Sequence, residues 1–439
     1  MLIVQAILSE RAMNSKQHNT PASTLLHIGL VTVALCVSLG VGAYVLLRGD
    51  TVSHAQPVVV ETMAAVAPKP SVAYVQTPAA VKAIYMSQCV VGTPTFRDEL
   101  VAFIDDSELN AVVIDIQDYT GKIAFPTDNP LLHDAVSQKC GADDMKDFIA
   151  TLHEKGIYVI GRITVFQNPY YASVHPEQAV QKKSGGVWKD FNGLAFVDVG
   201  AKAYWDYVVE LGRVSHELGF DELNFDYVRY PSDGPMSEAV YTHSLGKSKA
   251  QMLEDFFAYL TGRLRLQETP DAPVPTLSAD VFGMVATNTD DVGIGQVLER
   301  TLPYFDYVSP MIYPSHYHTG FHGYDDVNAH AYDIVKYAMQ TAVARTVATT
   351  TRVATNNGVK VTSPVPAAQE VLDRAPLYVK ESYVASKIRP WLQSFDYPVA
   401  YTPDMVRAQI KATQEAGVES YLFWDAANKY TSLRKVLLP

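Results

Sequence analysis

Two aspartates stand where predicted β-strands end, and a pair of carboxyl groups so placed could carry out acid and nucleophilic catalysis. Residues 220–227 alternate in the period-two manner of a strand, which ends near Asp226 before Pro231 stops regular pairing. Residues 276–281 form a second predicted strand, which presents Asp280. Open parallel sheets and barrels build their active sites at the C-terminal ends of strands. We therefore expect these two carboxyl groups to meet at one site.

Polar and aromatic side chains stand at or near the ends of most other predicted strands. The candidates for substrate contact are Asp115, Gln117, Arg162, Trp188, Glu222, Asn224, Arg229, Tyr313, His316, Tyr317, Trp391, Gln393, Trp424, Asp425 and Asn428. A concave rim is costly to leave so polar without a ligand. Polar groups can bind sugar hydroxyls, and aromatic rings can cover the apolar faces of pyranose rings. The pattern indicates a carbohydrate site, and the alternative for each tryptophan is packing in the core.

The elements that must position these side chains form a repeating unit, in which a helix ends, often at a glycine, and a short apolar strand follows. The predicted strands are 83–86, 111–116, 157–163, 220–227, 276–281, 307–312, 387–392 and 420–424. Alternation of strands and helices implies an α/β fold with a parallel sheet, and eight steps predict a (β/α)8 TIM barrel. A doubly wound open sheet is the alternative, but no glycine-rich phosphate loop follows the first strand.

The N-terminal region predicts a membrane anchor. Residues 25–47 contain no Asp, Glu, Lys or Arg, and a membrane-spanning helix needs about 20 apolar residues. We expect a cytoplasmic tail (1–24), a transmembrane helix (25–47), a proline-punctuated linker (48–80) and a barrel domain (81–439). The barrel would then be tethered to the cell membrane by a single pass and lie outside the cytoplasm, in the periplasm or the extracellular space. The alternative is a secreted protein whose signal peptide is cleaved near Ser53.

Composition limits the kinds of molecule that this protein is expected to bind. The chain has 439 residues and a net charge of −12, which argues against binding to nucleic acid. Cys89 and Cys140 could form one disulfide outside the cytoplasm, and two unpaired thiols are the alternative. No Cys/His spacing indicates zinc, so we expect neither a metal nor another cofactor. The expected partners are a polysaccharide substrate and, through the N-terminal helix, the membrane.

Five segments resemble a bacterial family of glycoside-hydrolase-type TIM barrels that is distantly similar to alpha-amylase-type barrels. They are FDYVRYP (225–231), SADVFG (278–283), PMIYPSHY (310–317), RPWLQ (389–393) and WDAANKY (424–430), and the resemblance spans about 83–430. In barrels of that kind the residue ending the fourth strand is the nucleophile and one ending the fifth is the acid/base. The resemblance therefore implies Asp226 as nucleophile and Asp280 as acid/base, although amylase-type enzymes carry glutamate at the second position.

Neighbouring groups favour the same division of roles. Arg162 and Arg229 would favour the ionised form of Asp226, whereas burial beside Phe282 would raise the pKa of Asp280. The hypothesis is a glycoside hydrolase that acts on a cell-envelope or extracellular polysaccharide. The alternatives are a carbohydrate-binding barrel without turnover, which would serve envelope assembly, and a metal-dependent polysaccharide deacetylase.

A separate prediction concerns two of the tryptophans. Trp391 and Trp424 each stand among the last residues of a predicted strand, so we expect both to line the cleft. Trp391→Ala should then weaken glycan binding and cost less than the ~3–5 kcal/mol of a buried large-to-small change.

Overall fold

The computed structural model describes residues 73–266, 273–352 and 377–439. Within them, eight parallel strands close into a barrel in chain order, which confirms the predicted (β/α)8 architecture. The barrel strands are β1 Lys82–Met86, β2 Ala111–Gln117, β3 Tyr158–Thr164, β4 Glu222–Asp226, β5 Thr276–Phe282, β6 Tyr307–Ile312, β7 Trp391–Gln393 and β8 Tyr421–Trp424. The open-sheet alternative is therefore wrong.

A helix follows each barrel strand and packs on the outside. The helices are α1 Pro94–Asp105, α2 Met145–Glu154, α3 Lys202–Leu218, α4 Lys249–Leu264, α5 Leu298–Thr301, α6 Ala331–Val347, α7 Pro403–Glu415 and α8 Thr431–Leu437. Short helices Gln88–Val91 and Pro169–Val174, and two small antiparallel ribbons (Gln181–Lys182 with Ala239–Val240, and Thr350–Arg352 with Leu377–Val379), lie in the connections. The first ribbon joins the loops that follow β3 and β4, so it links two loops on the side of the barrel that carries the cavity described below.

Helix α2 illustrates how the sequence produces one βα step. Met145, Phe148, Ile149 and Leu152 recur at helical spacing and are all buried against the barrel. Gly156 follows the helix at φ +72°, a conformation in which a side chain would be strained. The chain then enters β3 directly, so the helix stop and the strand start are encoded together.

Strand β4 shows how the period-two pattern sorts side chains between two cores. Leu223 and Phe225 point outwards into the large apolar core between strands and helices. Glu222, Asn224 and Asp226 lie on the opposite face, inside the barrel, and all three are buried. The strand therefore carries one polar side chain into each of three successive levels of the barrel interior.

The seventh strand is shorter than predicted. Residues 387–392 were expected to be extended, but the strand covers Trp391–Gln393. Pro390 has no N–H to donate to the ladder, and residue Ile388 contributes only an isolated bridge to Val308. Continuous pairing therefore begins only after the proline, and Trp391 starts the strand instead of ending it.

The described end of the predicted linker packs on the barrel. The Val75 N–H donates to Asp221 Oδ1 at 2.7 Å, and the Thr77 hydroxyl lies 3.0 Å from that of Tyr158. Within the described ranges no helix combines the length and the apolarity needed to cross a membrane. The predicted span 25–47 lies outside the described residues.

A disulfide joins two of the connecting loops. Cys89, in the short helix after β1, is bonded to Cys140, in the loop after β2, and their Cα atoms lie 4.4 Å apart. The bond closes a sequence separation of 51 residues. Of the two states that the sequence left open, the structure contains the paired one.

Candidate active site

A cavity of about 380 Å³ opens at the C-terminal end of the barrel, within the size range of small-ligand sites. Its lining residues are Arg162, Asp226, Tyr227, Arg229, Asp233, Asp280, Phe282, Gly283, Met284, Met311, Tyr313, His316, Tyr317, Trp391 and Trp424. Both predicted catalytic aspartates are among them, as are seven of the predicted substrate contacts. The strand ends converge as the alternation of strands and helices indicated.

Asp226 accepts hydrogen bonds on both carboxylate oxygens. Arg162 donates to Oδ2 from Nε at 3.0 Å and from Nη2 at 2.6 Å, and the Tyr227 N–H donates to Oδ1 at 2.6 Å. Tyr227 follows the strand at φ +51°, which turns the chain sharply over the barrel end. Asp226 is thus a buried carboxylate that is held in place by one guanidinium and one backbone amide.

Arg162 couples Asp226 to a third carboxyl group. Its Nη1 donates to Asp115 Oδ1 at 2.6 Å, and the Tyr85 hydroxyl donates to Asp115 Oδ2 at 2.5 Å. Burial raises the pKa of Asp115 to about 6, against the opposing charge of Arg162. Asp115 therefore lies behind the cavity wall and orients the arginine.

Asp280 lies in a different environment. Asn224 donates from Nδ2 to Asp280 Oδ1 at 2.8 Å and to the Ser278 hydroxyl at 3.0 Å, whereas Asp280 Oδ2 has no hydrogen-bond partner in the described part of the chain. Burial, and then the negative charge of Asp226, raise the pKa of Asp280 well above its ordinary range. Both effects favour the protonated form of this carboxyl group.

The strand register explains why the two aspartates meet. Strands β4 and β5 pair in parallel with Asn224 opposite Ser278 and Phe225 opposite Ala279. One step further along both strands come Asp226 and Asp280. Neighbouring strands lie about 4.8 Å apart, so the two carboxyl groups project side by side into the cavity.

Aromatic rings form the far wall. The Trp424 ring stacks on Tyr85 with 3.9 Å between centroids and meets Trp391 edge-on at 5.7 Å. Tyr313 lines the cavity beside His316, whose ring lies 5.4 Å away. Trp391 is only 1% exposed, whereas Trp424 is half-buried. The rings form an apolar surface next to the carboxyl pair, as a pyranose would need.

Eight predicted substrate contacts do not line the cavity, namely Asp115, Gln117, Trp188, Glu222, Asn224, Gln393, Asp425 and Asn428. Two of them, Asp115 and Asn224, lie directly behind the cavity wall and bind Arg162 and Asp280. Glu222 is fully buried deeper in the barrel, where it is paired with Arg389 and accepts a hydrogen bond from Tyr158 at 3.1 Å. Its distance from the rim follows from its place at the start of β4.

The remaining five bind the protein itself. Asp425 accepts the backbone N–H groups of residues 427, 429 and 430, and Asn428 ties Ser87 N–H to the turn after β8. Gln117 donates to the Thr164 carbonyl at 2.8 Å, and Gln393 accepts from the Ser315 hydroxyl at 2.8 Å. These side chains hold the strand-end turns in shape.

Trp188 is a packing residue and not a sugar platform in this structure. Its side chain is fully buried, and its Nε1 donates to the Pro235 carbonyl at 3.1 Å. A Cβ on Gly234, whose φ is +137°, would lie 2.6 Å from the Trp188 ring. The tryptophan therefore supports the loop that brings Asp233 to the cavity.

Sequence reasoning missed six lining residues: Tyr227, Asp233, Phe282, Gly283, Met284 and Met311. Tyr227 and Phe282 directly follow or end a strand whose aspartate was selected, so position alone could have identified them. Asp233 stands in a Ser-Asp-Gly turn two residues after a proline, which is an ordinary loop signal. Among the described residues, no group of three or more His, Cys, Asp or Glu side chains is arranged to hold a metal ion.

Comparison with known proteins agrees with this fold. Residues 83–356 and 355–430 match a family model described as "Putative glycosyl hydrolase domain". A crystal structure of a hypothetical protein from Ruminiclostridium thermocellum is 31% identical over 45% of this chain and 97% of its own, with a TM-score of 0.40. No curated protein matches the chain.

Two solved glycosidase structures match this chain at low sequence identity. Alpha-L-fucosidase isoenzyme 2 from Paenibacillus thiaminolyticus is 12% identical, with a TM-score of 0.50, over 81% of this chain and 48% of its own. TtGalA, an alpha-galactosidase from Thermus thermophilus, is 10% identical, with a TM-score of 0.45, over 83% and 65%. The family match covers most of the barrel, and the chain therefore belongs to this glycosyl hydrolase domain family.

Proposed function

We propose that the protein hydrolyses glycosidic bonds of a cell-envelope or extracellular polysaccharide, with Asp226 as nucleophile and Asp280 as acid/base. The observation that carries the proposal is the contrast between two neighbouring carboxyl groups. Asp226 accepts hydrogen bonds from a guanidinium and a backbone amide, whereas burial and the charge of Asp226 raise the pKa of Asp280. Glycoside hydrolysis needs one carboxylate and one carboxylic acid beside the scissile bond.

The proposed reaction follows from these two settings. The proton on Asp280 passes to the glycosidic oxygen as the bond to the sugar breaks, and Asp226 attacks the anomeric carbon to form a glycosyl ester. Asp280, now ionised, takes a proton from water, which then hydrolyses the ester. Adjacent positions on neighbouring strands favour the ~5–5.5 Å carboxyl separation of retaining enzymes.

A binding protein without turnover is the second candidate. It is favoured by one feature, namely that both oxygens of Asp226 already accept hydrogen bonds. A nucleophile so restrained must give up part of this coordination when it attacks. The family membership and the raised pKa of Asp280 favour hydrolysis.

Digestion of a glycan library with mass detection tests the proposal. Wild-type protein should release products from at least one polysaccharide, and Asp226→Asn should fold normally and release almost none. For a retaining enzyme, azide should restore turnover of an activated substrate by an Asp226→Ala variant and yield a glycosyl azide. Binding of a glycan without cleavage by wild-type protein would favour the second candidate.

The location is part of the proposal. The Cys89–Cys140 disulfide is typical of proteins outside the cytoplasm, and the uncharged segment 25–47 would tether the barrel there as a single-pass anchor. Protease added to intact spheroplasts should then release the barrel. Complete protection of the barrel would contradict an external location. Release into the medium without protease would support the cleaved-signal alternative.

A further inference from the structure

Arg229 is a buried cation at the cavity, and no carboxylate of the described residues lies within ion-pair distance of it. Its side chain lines the cavity, and the residue is 5% exposed. Its Nη1 donates to the Tyr230 carbonyl at 3.1 Å and to the Ser232 hydroxyl at 3.2 Å, both of them neutral acceptors. Among the described residues, the ion pairs within 4.0 Å do not include Arg229. The carboxylates of Asp226 and Asp233 act on it from beyond that distance.

Arg162 provides the contrast inside the same cavity. It contacts two carboxylates, Asp115 and Asp226, at 2.6 Å each. Its charge is fully used by the protein, and a ligand anion would have to compete for it. Neither of these two carboxylates lies within ion-pair distance of Arg229, so the guanidinium of Arg229 is left to contact a ligand anion.

The surroundings of Arg229 fix the orientation of its guanidinium. The Cζ atom lies 4.6 Å from the ring centroid of Phe282, 4.8 Å from that of Tyr227 and 5.7 Å from that of Phe196. Aromatic rings over a guanidinium hold its plane and leave its edge for hydrogen bonds. Burial of an unpaired cation is costly, and this cost is recovered when an anion binds.

We propose that Arg229 binds the carboxylate of an acidic sugar residue, so that the substrate of the proposed hydrolase is an anionic, carboxylate-bearing glycan. That this glycan is a substrate rests on the proposed function. The binding of its carboxylate by Arg229 does not. A planar, singly charged carboxylate matches the planar guanidinium in shape and charge. A dianion fits less well, because Asp226 and Asp233 keep a negative potential nearby.

Equilibrium binding of single sugars to the full-length protein tests the proposal without requiring turnover. The probes are glucuronate, galacturonate, mannuronate and N-acetylmuramate, each paired with its neutral counterpart: glucose, galactose, mannose and N-acetylglucosamine. At least one acid should bind about tenfold more tightly than its partner, as a charge-assisted hydrogen bond provides. Arg229→Gln should remove this difference while keeping the affinity for the neutral sugar.

Two further measurements keep the result decisive. Arg229→Lys keeps the positive charge but loses the planar guanidinium with its paired donors, so it should give an intermediate preference for the acid. This variant also tests the proposal if Arg229→Gln does not fold. Inorganic phosphate should compete with the acid only weakly. The proposal is overturned if wild-type protein shows no acid preference for any pair, if the preference survives in Arg229→Gln, or if phosphate binds as tightly as the acid.

Failure of this inference differs from failure of the proposed function. Turnover of a neutral glycan that is lost in Asp226→Asn would leave the hydrolase standing and remove the role of Arg229. An acid preference that disappears in Arg229→Gln, in a protein that cleaves nothing, would support the role of Arg229 and contradict the proposed hydrolase.

Discussion

The Asp280→Asn variant should become progressively more stable than wild-type protein as the pH rises above about 4, because the folded chain raises the pKa of this carboxyl group. Burial and the charge of Asp226 raise its pKa well above the ordinary range, whereas the unfolded chain releases the proton near pH 4. Between those two pKa values the folded state binds one more proton than the unfolded state. The wild-type free energy of unfolding therefore falls as the pH rises through this window.

The size of this change follows from the one extra proton that the folded state binds. Its linkage slope is about 1.4 kcal/mol per pH unit, so wild-type protein loses about that much between pH 5 and pH 6 through this group. Asp280→Asn has no proton to lose and keeps the acceptor for the Asn224 amide. Asp115, whose pKa rises to about 6, titrates in both proteins and largely cancels in the difference.

Urea unfolding followed by tryptophan fluorescence, from about pH 5 to about pH 6.5, measures the difference. The free energy of unfolding of Asp280→Asn minus that of wild-type protein should rise by about 1.4 kcal/mol per pH unit. Asp404→Asn, at a side chain that is 92% exposed, is the matched control and should give a flat difference. A flat difference for Asp280→Asn as well would show that the folded protein does not hold this proton, and the acid role would lose its basis.

Four other variants test the structure around the site. Arg162→Met leaves its two buried carboxylate partners without their cation and should cost about 3–5 kcal/mol of stability in urea unfolding. Trp391→Ala should also cost about 3–5 kcal/mol because the ring is 1% exposed, whereas Trp424→Ala should cost less and mainly weaken glycan binding in a pull-down assay. The double variant Cys89→Ala/Cys140→Ala should lose about 4 kcal/mol under oxidising conditions, the loop-closure value for a separation of 51 residues.

For three of these variants a specific result would count against the structure. A cost below about 1 kcal/mol for Arg162→Met would mean that the buried ion pairs do not form. Unchanged glycan binding by Trp424→Ala would show that this ring does not contact the glycan. Equal stability of wild-type protein with and without reductant would mean that the two cysteines do not pair.

The fold was predictable because each βα step is encoded locally. The apolar stripe of α2, the glycine stop at Gly156 and the strand that follows all appear in consecutive residues. Repeating this unit eight times leaves few topologies open. The pairing of Asp226 with Asp280 then follows from chain order, since consecutive strands of a barrel are neighbours.

The depth of a residue inside the barrel could not be predicted in the same way. Glu222 and Asp226 share one face of one strand, and alternation alone places both in the interior. Four residues of rise separate them, about 13 Å at the usual 3.3 Å per residue, so one meets Arg389 deep in the barrel and the other meets the cavity. Trp391 was expected to cost little when removed, but it begins its strand after Pro390 and is almost fully buried, so that expectation is revised.

Side chains at strand ends either line the cavity or hold the nearby turns in shape, and residue type alone does not distinguish these two roles. Asp425 and Asn428 have the residue types of a sugar-binding site, yet their oxygens accept backbone N–H groups of nearby turns. Trp188 has the residue type of a sugar platform, yet it fills the space that Gly234 leaves open. Which task a residue performs depends on rotamers and tertiary neighbours, which no sequence window contains.

The most direct test of the central claim is the hydrolysis rate of Asp226→Asn and Asp280→Asn on the glycan that wild-type protein cleaves, with Asp404→Asn as control. The account predicts a wild-type rate for the control, a loss of at least about a hundredfold for Asp280→Asn, and almost no turnover for Asp226→Asn, with all three variants folded. Wild-type rates for both site variants would contradict the assignment of these two carboxyl groups as the catalytic pair.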